Sequence, residues 1–191
     1  MLTQQKLTAT DAITKLVLDK NIHTWEDLIS YTQKLPYGRN NNRTDFSLVI
    51  SEAKGTCSSK HAFLKKIASL NNIPNVVLIL GMYKMNHHNT PNIGKVLLEN
   101  NINYIPEAHC YLKINQKRVD ITNANADFSK LKNDILEEIE ITPEQVADFK
   151  VTYHQNFLKN WIQQNNIPYS FKEIWSIREL CIQNLSNSNC K

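Results

Sequence analysis

Two residues, Asn115 and Gln116, separate the strand-like runs Ala108 to Ile114 and Lys117 to Thr122. A two-residue loop is the length of a tight β-hairpin, and it fixes which residues meet across the pair. Ile114 then pairs with Lys117, Tyr111 lies opposite Asp120, and His109 lies opposite Thr122. Side chains alternate along a strand, so Cys110, Leu112, Ile114, Val119 and Ile121 form an apolar face suited to a core. The other face carries His109, Tyr111, Lys113, Arg118, Asp120 and Thr122. His109 and Asp120 become diagonal neighbours, about 7 Å apart at the backbone and within side-chain reach. A register shift of two would place them directly opposite. Either way, a carboxylate can hold the imidazole in one tautomer and leave its second nitrogen for a thiol.

The rest of the chain supplies helices on both sides of this hairpin. Ala12, Ile13, Leu16 and Val17 recur at helical spacing, and Thr24-Trp25-Glu26-Asp27 opens a second helix that runs to about Leu35. Pro36-Tyr37-Gly38-Arg39, three asparagines and Arg43 make a loop. Val76 to Leu80 reads as a buried strand closed by Gly81, and residues 92 to 99 as a short helix. From about Ile141 the pattern is helical, with proline in a first turn at Thr142-Pro143-Glu144-Gln145 and a capping box at Ser170-Phe171-Lys172-Glu173. Asparagine pairs and runs such as Asn40-Asn41-Asn42 and Asn100-Asn101 are read as a compositional habit without functional weight. The expected class is α+β, a single domain over residues 1–191 with its core at about 46–124 and a helical extension at about 141–185.

Upstream of the hairpin, Gly55-Thr56-Cys57-Ser58-Ser59 precedes Ala62, Phe63, Ile67, Ala68 and Leu70 at helical spacing. Thr56 or Ser58 can cap that helix, which puts Cys57 in or beside its first turn. There the positive end of the macrodipole and the unpaired N–H groups favour thiolate over thiol. Gly55, one of four glycines, sits where the backbone turns sharply or leaves room for a substrate. The expected site is Cys57 as nucleophile, His109 as its base and Asp120 as the group that orients the base. The backbone N–H of Cys57 and one further donor, with Tyr37 and Asn40 as candidates, would meet an oxyanion. Arg39, Arg43 and Lys60 are candidates for holding an acidic or phosphate-bearing substrate.

This order of residues, from Gly55-Thr56-Cys57 through the strand ending at Gly81 to His109 and Asp120, resembles the transglutaminase-like superfamily of cysteine enzymes over about residues 46–124. The resemblance implies a papain-like core in which the cysteine helix packs on an antiparallel sheet, flanked here by N- and C-terminal helices. It implies thiol chemistry on a peptide, protein or small amide or ester substrate, as in proteases, amidases and transamidases, and no cofactor. Many relatives carry a small residue four positions after the cysteine; here His61 stands there, on the same helix face as Cys57, either as a second imidazole near the thiol and a candidate for the substrate site or as a partly exposed helix histidine.

Composition narrows the alternatives. A net charge of +4 is spread along the chain with no Lys/Arg-rich stretch, which argues against nucleic-acid binding. The first twenty residues lack the apolar run of a signal peptide and no segment reaches transmembrane length, so a cytoplasmic, membrane-free protein is expected. Four cysteines, Cys57, Cys110, Cys181 and Cys190, are too few and too unevenly spaced for a disulfide framework. His87, His88, His61, Cys57, His109 and Cys110 lack zinc-site spacing, so no metal is expected. A non-catalytic or metal-binding protein that keeps the fold is the competing reading. The sequence sets no oligomeric state.

Overall fold

In the computed structural model, which describes residues 4–188, the chain opens with α1 (Ala12–Leu18) and α2 (Trp25–Lys34). Both start on side-chain caps: the Asp11 carboxylate accepts from the Thr14 amide, and the Thr24 hydroxyl accepts from the Asp27 amide. The short α3 (Leu48–Ser51) leads to α4 (Cys57–Leu70), and β1 (Val76–Met85) follows. A 3₁₀ turn at Pro91–Ile93 and α5 (Val96–Glu99) precede β2 (Ile105–Ile114), β3 (Lys117–Val119) and β4 (Ile135–Ile141). Short 3₁₀ turns at Phe128–Lys130 and Lys132–Asp134 lie between β3 and β4, and a further one at Pro143–Val146 leads to α6 (Asp148–Gln164) and α7 (Phe171–Ser188). The fold is α+β, with a four-stranded antiparallel sheet in the order β3-β2-β1-β4. Among the described residues, no helix is long and apolar enough to cross a membrane.

The hairpin has the register that its loop length dictates: Ile114 pairs with Lys117, Lys113 with Arg118 and Leu112 with Val119. Asn115 and Gln116 both have positive φ, 47° and 65°, as a type I′ turn requires. Other expectations need correction. The pairing of β3 stops at Val119, so Asp120 lies in the segment after the strand and not on it. Tyr111, expected on a polar face, is fully buried and packs on Phe128 with ring centroids 4.7 Å apart. β1 does not close at Gly81 but continues to Met85, because Met82, Tyr83 and Met85 are themselves core residues. The helix expected at 92–99 is split at Gly94, whose φ of +72° is left-handed. β4, Ile-Leu-Glu-Glu-Ile-Glu-Ile, has no counterpart in the sequence reading; its glutamates suit the edge position that it takes.

The asparagine pairs have a structural job. Asn71-Asn72-Ile73, Asn100-Asn101-Ile102 and Asn165-Asn166-Ile167 end α4, α5 and α6. In each, the second asparagine takes positive φ (54°, 53° and 49°) and the isoleucine amide reaches back to the carbonyl five residues earlier: Ile73 to Ala68, Ile102 to Leu97, Ile167 to Ile162. This is a Schellman ending with asparagine where glycine is commonest. The first asparagine adds a bond that glycine cannot make, donating its side-chain amide to the carbonyl four residues back, on Ile67, Val96 and Trp161 respectively.

Contacts divide the chain into two compact units that alternate along the sequence. The first comprises the residues up to Leu80, Cys110–Phe128 and Ile139–Ala147; the second comprises Gly81–His109, Ser129–Glu138 and the residues from Asp148 onward. In the first, α4 is the central helix: α1, α2, α3 and the turn at Pro143–Val146 all pack on it. Phe63, Leu64 and Ile67 on α4 are fully buried, as are Leu28 and Leu78, each contributing about 1.5–3 kcal/mol of apolar burial. The second unit is built on Met85, Ile93, Leu97, Ile105, Leu158, Trp161, Ile174 and Cys181. It also buries an ion pair. Arg178 donates from Nε and Nη2 to the two oxygens of Glu107, at 2.7 and 2.5 Å, and His154 Nε2 stands 3.8 Å from the same carboxylate.

Candidate active site at the start of helix α4

Cys57 is the first residue of α4, and the turn in front of it is closely determined. Thr56 caps the helix in an extended conformation; its hydroxyl accepts from the Ser59 amide while Ser59 Oγ accepts from the Thr56 amide, a reciprocal capping box. The preceding loop lies beside this turn: Tyr37 and Gly55 form a parallel bridge, Gly38 N–H donates to Gly55, and Gly55 N–H donates to Pro36. Gly55 is a glycine for want of space. A Cβ there would lie 2.8 Å from Lys60 Cγ and 2.9 Å from Ser59 Oγ. The first turn of α4 contains no acidic residue, so nothing in it offsets the positive helix end. Cys57 is 9% exposed, and its Sγ lies 3.8 Å from Ser58 Oγ.

Three and four residues on, Lys60 and His61 turn inward from α4 and grip the segment after β3. Lys60 is completely buried, with Nζ donating to the carbonyls of Leu35 (2.5 Å) and Thr122 (2.8 Å). Burial lowers its pKa to about 8, against the raising effect of Asp120 and Cys57. His61 is also fully buried. Its Nε2 accepts from the Ile121 amide at 2.9 Å, so the ring proton sits on Nδ1, which donates to the Cys57 carbonyl at 2.7 Å. Asp120 Oδ1, only 3.7 Å from His61 Nε2, accepts instead from the amide (2.9 Å) and hydroxyl (2.6 Å) of Thr122. Its side chain is 7% exposed.

The first unit therefore brings together Cys57, Lys60, His61 and Asp120. Two of these correct expectations: the ammonium of Lys60 is spent on two main-chain carbonyls and does not face an anionic substrate, and both ring nitrogens of His61 are engaged within the fold. Asn40 is likewise a brace, its Nδ2 within 3.3 Å of the Leu48 carbonyl, Glu52 Oε2 and the Lys54 carbonyl, so its side-chain amide is spent on the loop and not offered to an oxyanion. Tyr37 is half-buried and held beside Gly55 through its backbone, while Arg39 and Arg43 are exposed on the loop. His109, the last residue of its segment in the second unit, is half-buried on β2, with the Tyr83 ring edge-on to it at 6.0 Å between centroids.

Sequence reasoning missed the paired grip of Lys60 and His61. The spacing carried the signal, since positions three and four after Cys57 share its side of the helix. His87 and His88 stack on each other at 3.9 Å in the loop after β1. Among the described residues, no group of three or more His, Cys, Asp or Glu side chains is placed to hold a metal ion. Cys57, Cys110 and Cys181 are buried, and Cys190 lies outside the described residues. Comparison with protein-family models, with curated proteins and with solved structures finds no match.

Proposed function

We propose that this chain is a cysteine-dependent acyl-transfer enzyme or hydrolase of transglutaminase-like type, with Cys57 as nucleophile, His109 as general base and Asp120 as the carboxylate that orients the base. The observation that carries the reading is the placement of Cys57. It is a nearly buried thiol at the first position of a 14-residue helix, with the Asp120 carboxylate tied to the same turn through Lys60 and His61. In this mechanism His109 takes the thiol proton, and the thiolate adds to an amide or ester carbonyl. The resulting oxyanion is met by the Cys57 amide, and the C–N or C–O bond breaks as the imidazolium returns its proton to the leaving group. Water or an amine then releases the acyl group. Because His61 keeps neither ring nitrogen free, it supports the backbone and leaves the base role to His109.

The test uses p-nitrophenyl acetate as a generic acyl donor. A stoichiometric burst of p-nitrophenolate, with acetylation of Cys57 seen by peptide mass spectrometry, is expected from the full chain. Cys57→Ala should abolish it, and His109→Ala and Asp120→Asn should slow it by at least a hundredfold. A burst that survives in Cys57→Ala, or no burst at any pH between 6 and 9, overturns the proposal.

A further inference from the structure

Lys60 is a buried cation that the proposed mechanism does not use, and its placement is costly. A charged group leaves water only for strong compensation, and a methionine or leucine would fill the same space with less penalty. Gly55 is also constrained by it, because the stem of Lys60 occupies the space that any larger residue at 55 would need. The contacts show what the ammonium does. It joins the end of α2, through the Leu35 carbonyl, to the Thr122 carbonyl, and Thr122 in turn orients Asp120 through its amide and hydroxyl. The ionisable groups whose charges act on it are Cys57, from its own helix, and Asp120, from the segment after β3. His61, held neutral by its two bonds, stands on the other side of Asp120.

Resting on the triad reading above, we propose that Lys60 is a positioning residue for the reaction: its buried ammonium, held by the Leu35 and Thr122 carbonyls, fixes the Asp120 segment against α4 and stabilises the Cys57 thiolate. With a pKa of about 8, Lys60 is mostly charged at neutral pH and loses its charge within the range where an ordinary lysine keeps it. Once neutral, the amine donates less strongly to the two carbonyls and no longer adds a positive charge to the surroundings of Cys57 and Asp120.

The experiment follows two signals across pH 5–10 in the full chain: the p-nitrophenyl acetate burst rate, and alkylation of Cys57 by iodoacetamide read at its own peptide. The wild-type burst rate should fall on an alkaline limb centred near pH 8. Lys60→Arg, which keeps the charge, should move that limb above pH 9.5. Lys60→Met should cut thiol reactivity at pH 7 about tenfold by raising the thiol pKa about one unit, while the thermal transition shows the variant folded. A wild-type burst rate that stays flat to pH 9.5 overturns the proposal without reference to any variant. So does a folded Lys60→Met protein with the wild-type alkylation profile. Absence of the burst with Cys57 titrating at an ordinary 8.5 counts instead against the triad itself, and the two failures are thereby distinct.

Discussion

Replacing Arg178 with leucine should be among the most destabilising single changes in the second unit, and the size of the effect follows from the ion pair. The substitution removes both donors from a Glu107 carboxylate that is 5% exposed. His154 cannot take over. Burial lowers its pKa, and its Nε2–H already donates to the Pro106 carbonyl at 2.9 Å. Burial alone would raise the Glu107 pKa; Arg178, with His154 and Lys150 assisting, brings it to about 2, against 4.5 for the free group. The drop from 4.5 to about 2 corresponds to about 3 kcal/mol, in line with the 3–5 kcal/mol lost when one partner of a buried pair is removed. In the wild type this stabilisation is fully present above pH 4.5 and fades as pH falls from 4.5 toward 2. In Arg178→Leu the unpaired carboxyl titrates above 4.5, so the variant loses stability as pH rises through that raised value. The gap between the two proteins is therefore widest at neutral pH and narrows toward pH 4. Urea denaturation followed by tryptophan fluorescence at pH 7 and pH 4 measures it. A gap under 1 kcal/mol at pH 7, or one of equal size at both pH values, refutes the argument. Converting both residues to methionine should recover most of the loss.

Three further outcomes are expected. His61→Leu leaves the buried Ile121 amide without an acceptor and should cost about 2 kcal/mol in urea denaturation; in the wild type, ¹⁵N NMR should show the proton of this ring on Nδ1, and the opposite tautomer contradicts the assignment. Gly55→Ala forces contacts of 2.8 and 2.9 Å with Lys60 and Ser59 and should lower stability by about 1–3 kcal/mol, whereas a neutral result means that the Lys60 stem moves freely. At Asn101, with φ of 53°, alanine should destabilise by about 1 kcal/mol and glycine should be neutral or stabilising, an ordering that thermal denaturation checks directly.

The parts of the fold that were legible in the sequence are those in which one local rule decides the outcome. The two-residue loop at Asn115-Gln116 set the hairpin register, and Thr24, Thr56 and Ser170 announced helix starts because a capping hydroxyl acts within three residues. What stayed hidden depends on partners distant in sequence. β4 is a run of isoleucine and glutamate whose strand character comes from pairing at a sheet edge, and β1 runs through Gly81 because the core of the second unit continues past it. In the candidate site, the position of Cys57 at a helix start was legible. The burial of Lys60 and His61 was not: polar residues on the early turns of a helix read as solvent-facing until the Leu35 and Thr122 carbonyls and the Ile121 amide are seen to meet them.

The Asn-Asn-Ile endings give this glycine-poor chain a portable punctuation mark. The three letters divide the labour: the first asparagine caps a carbonyl, the second reverses the handedness of the backbone, and the isoleucine anchors the exit. Each letter therefore tolerates a different set of replacements, and the word can be moved to a designed helix as a unit. A stop built this way keeps less freedom in the unfolded chain than a glycine stop does, so it offsets part of its left-handed strain on the other side of the folding equilibrium. An abundance of asparagine that resembles drift in composition is, at these three sites, syntax.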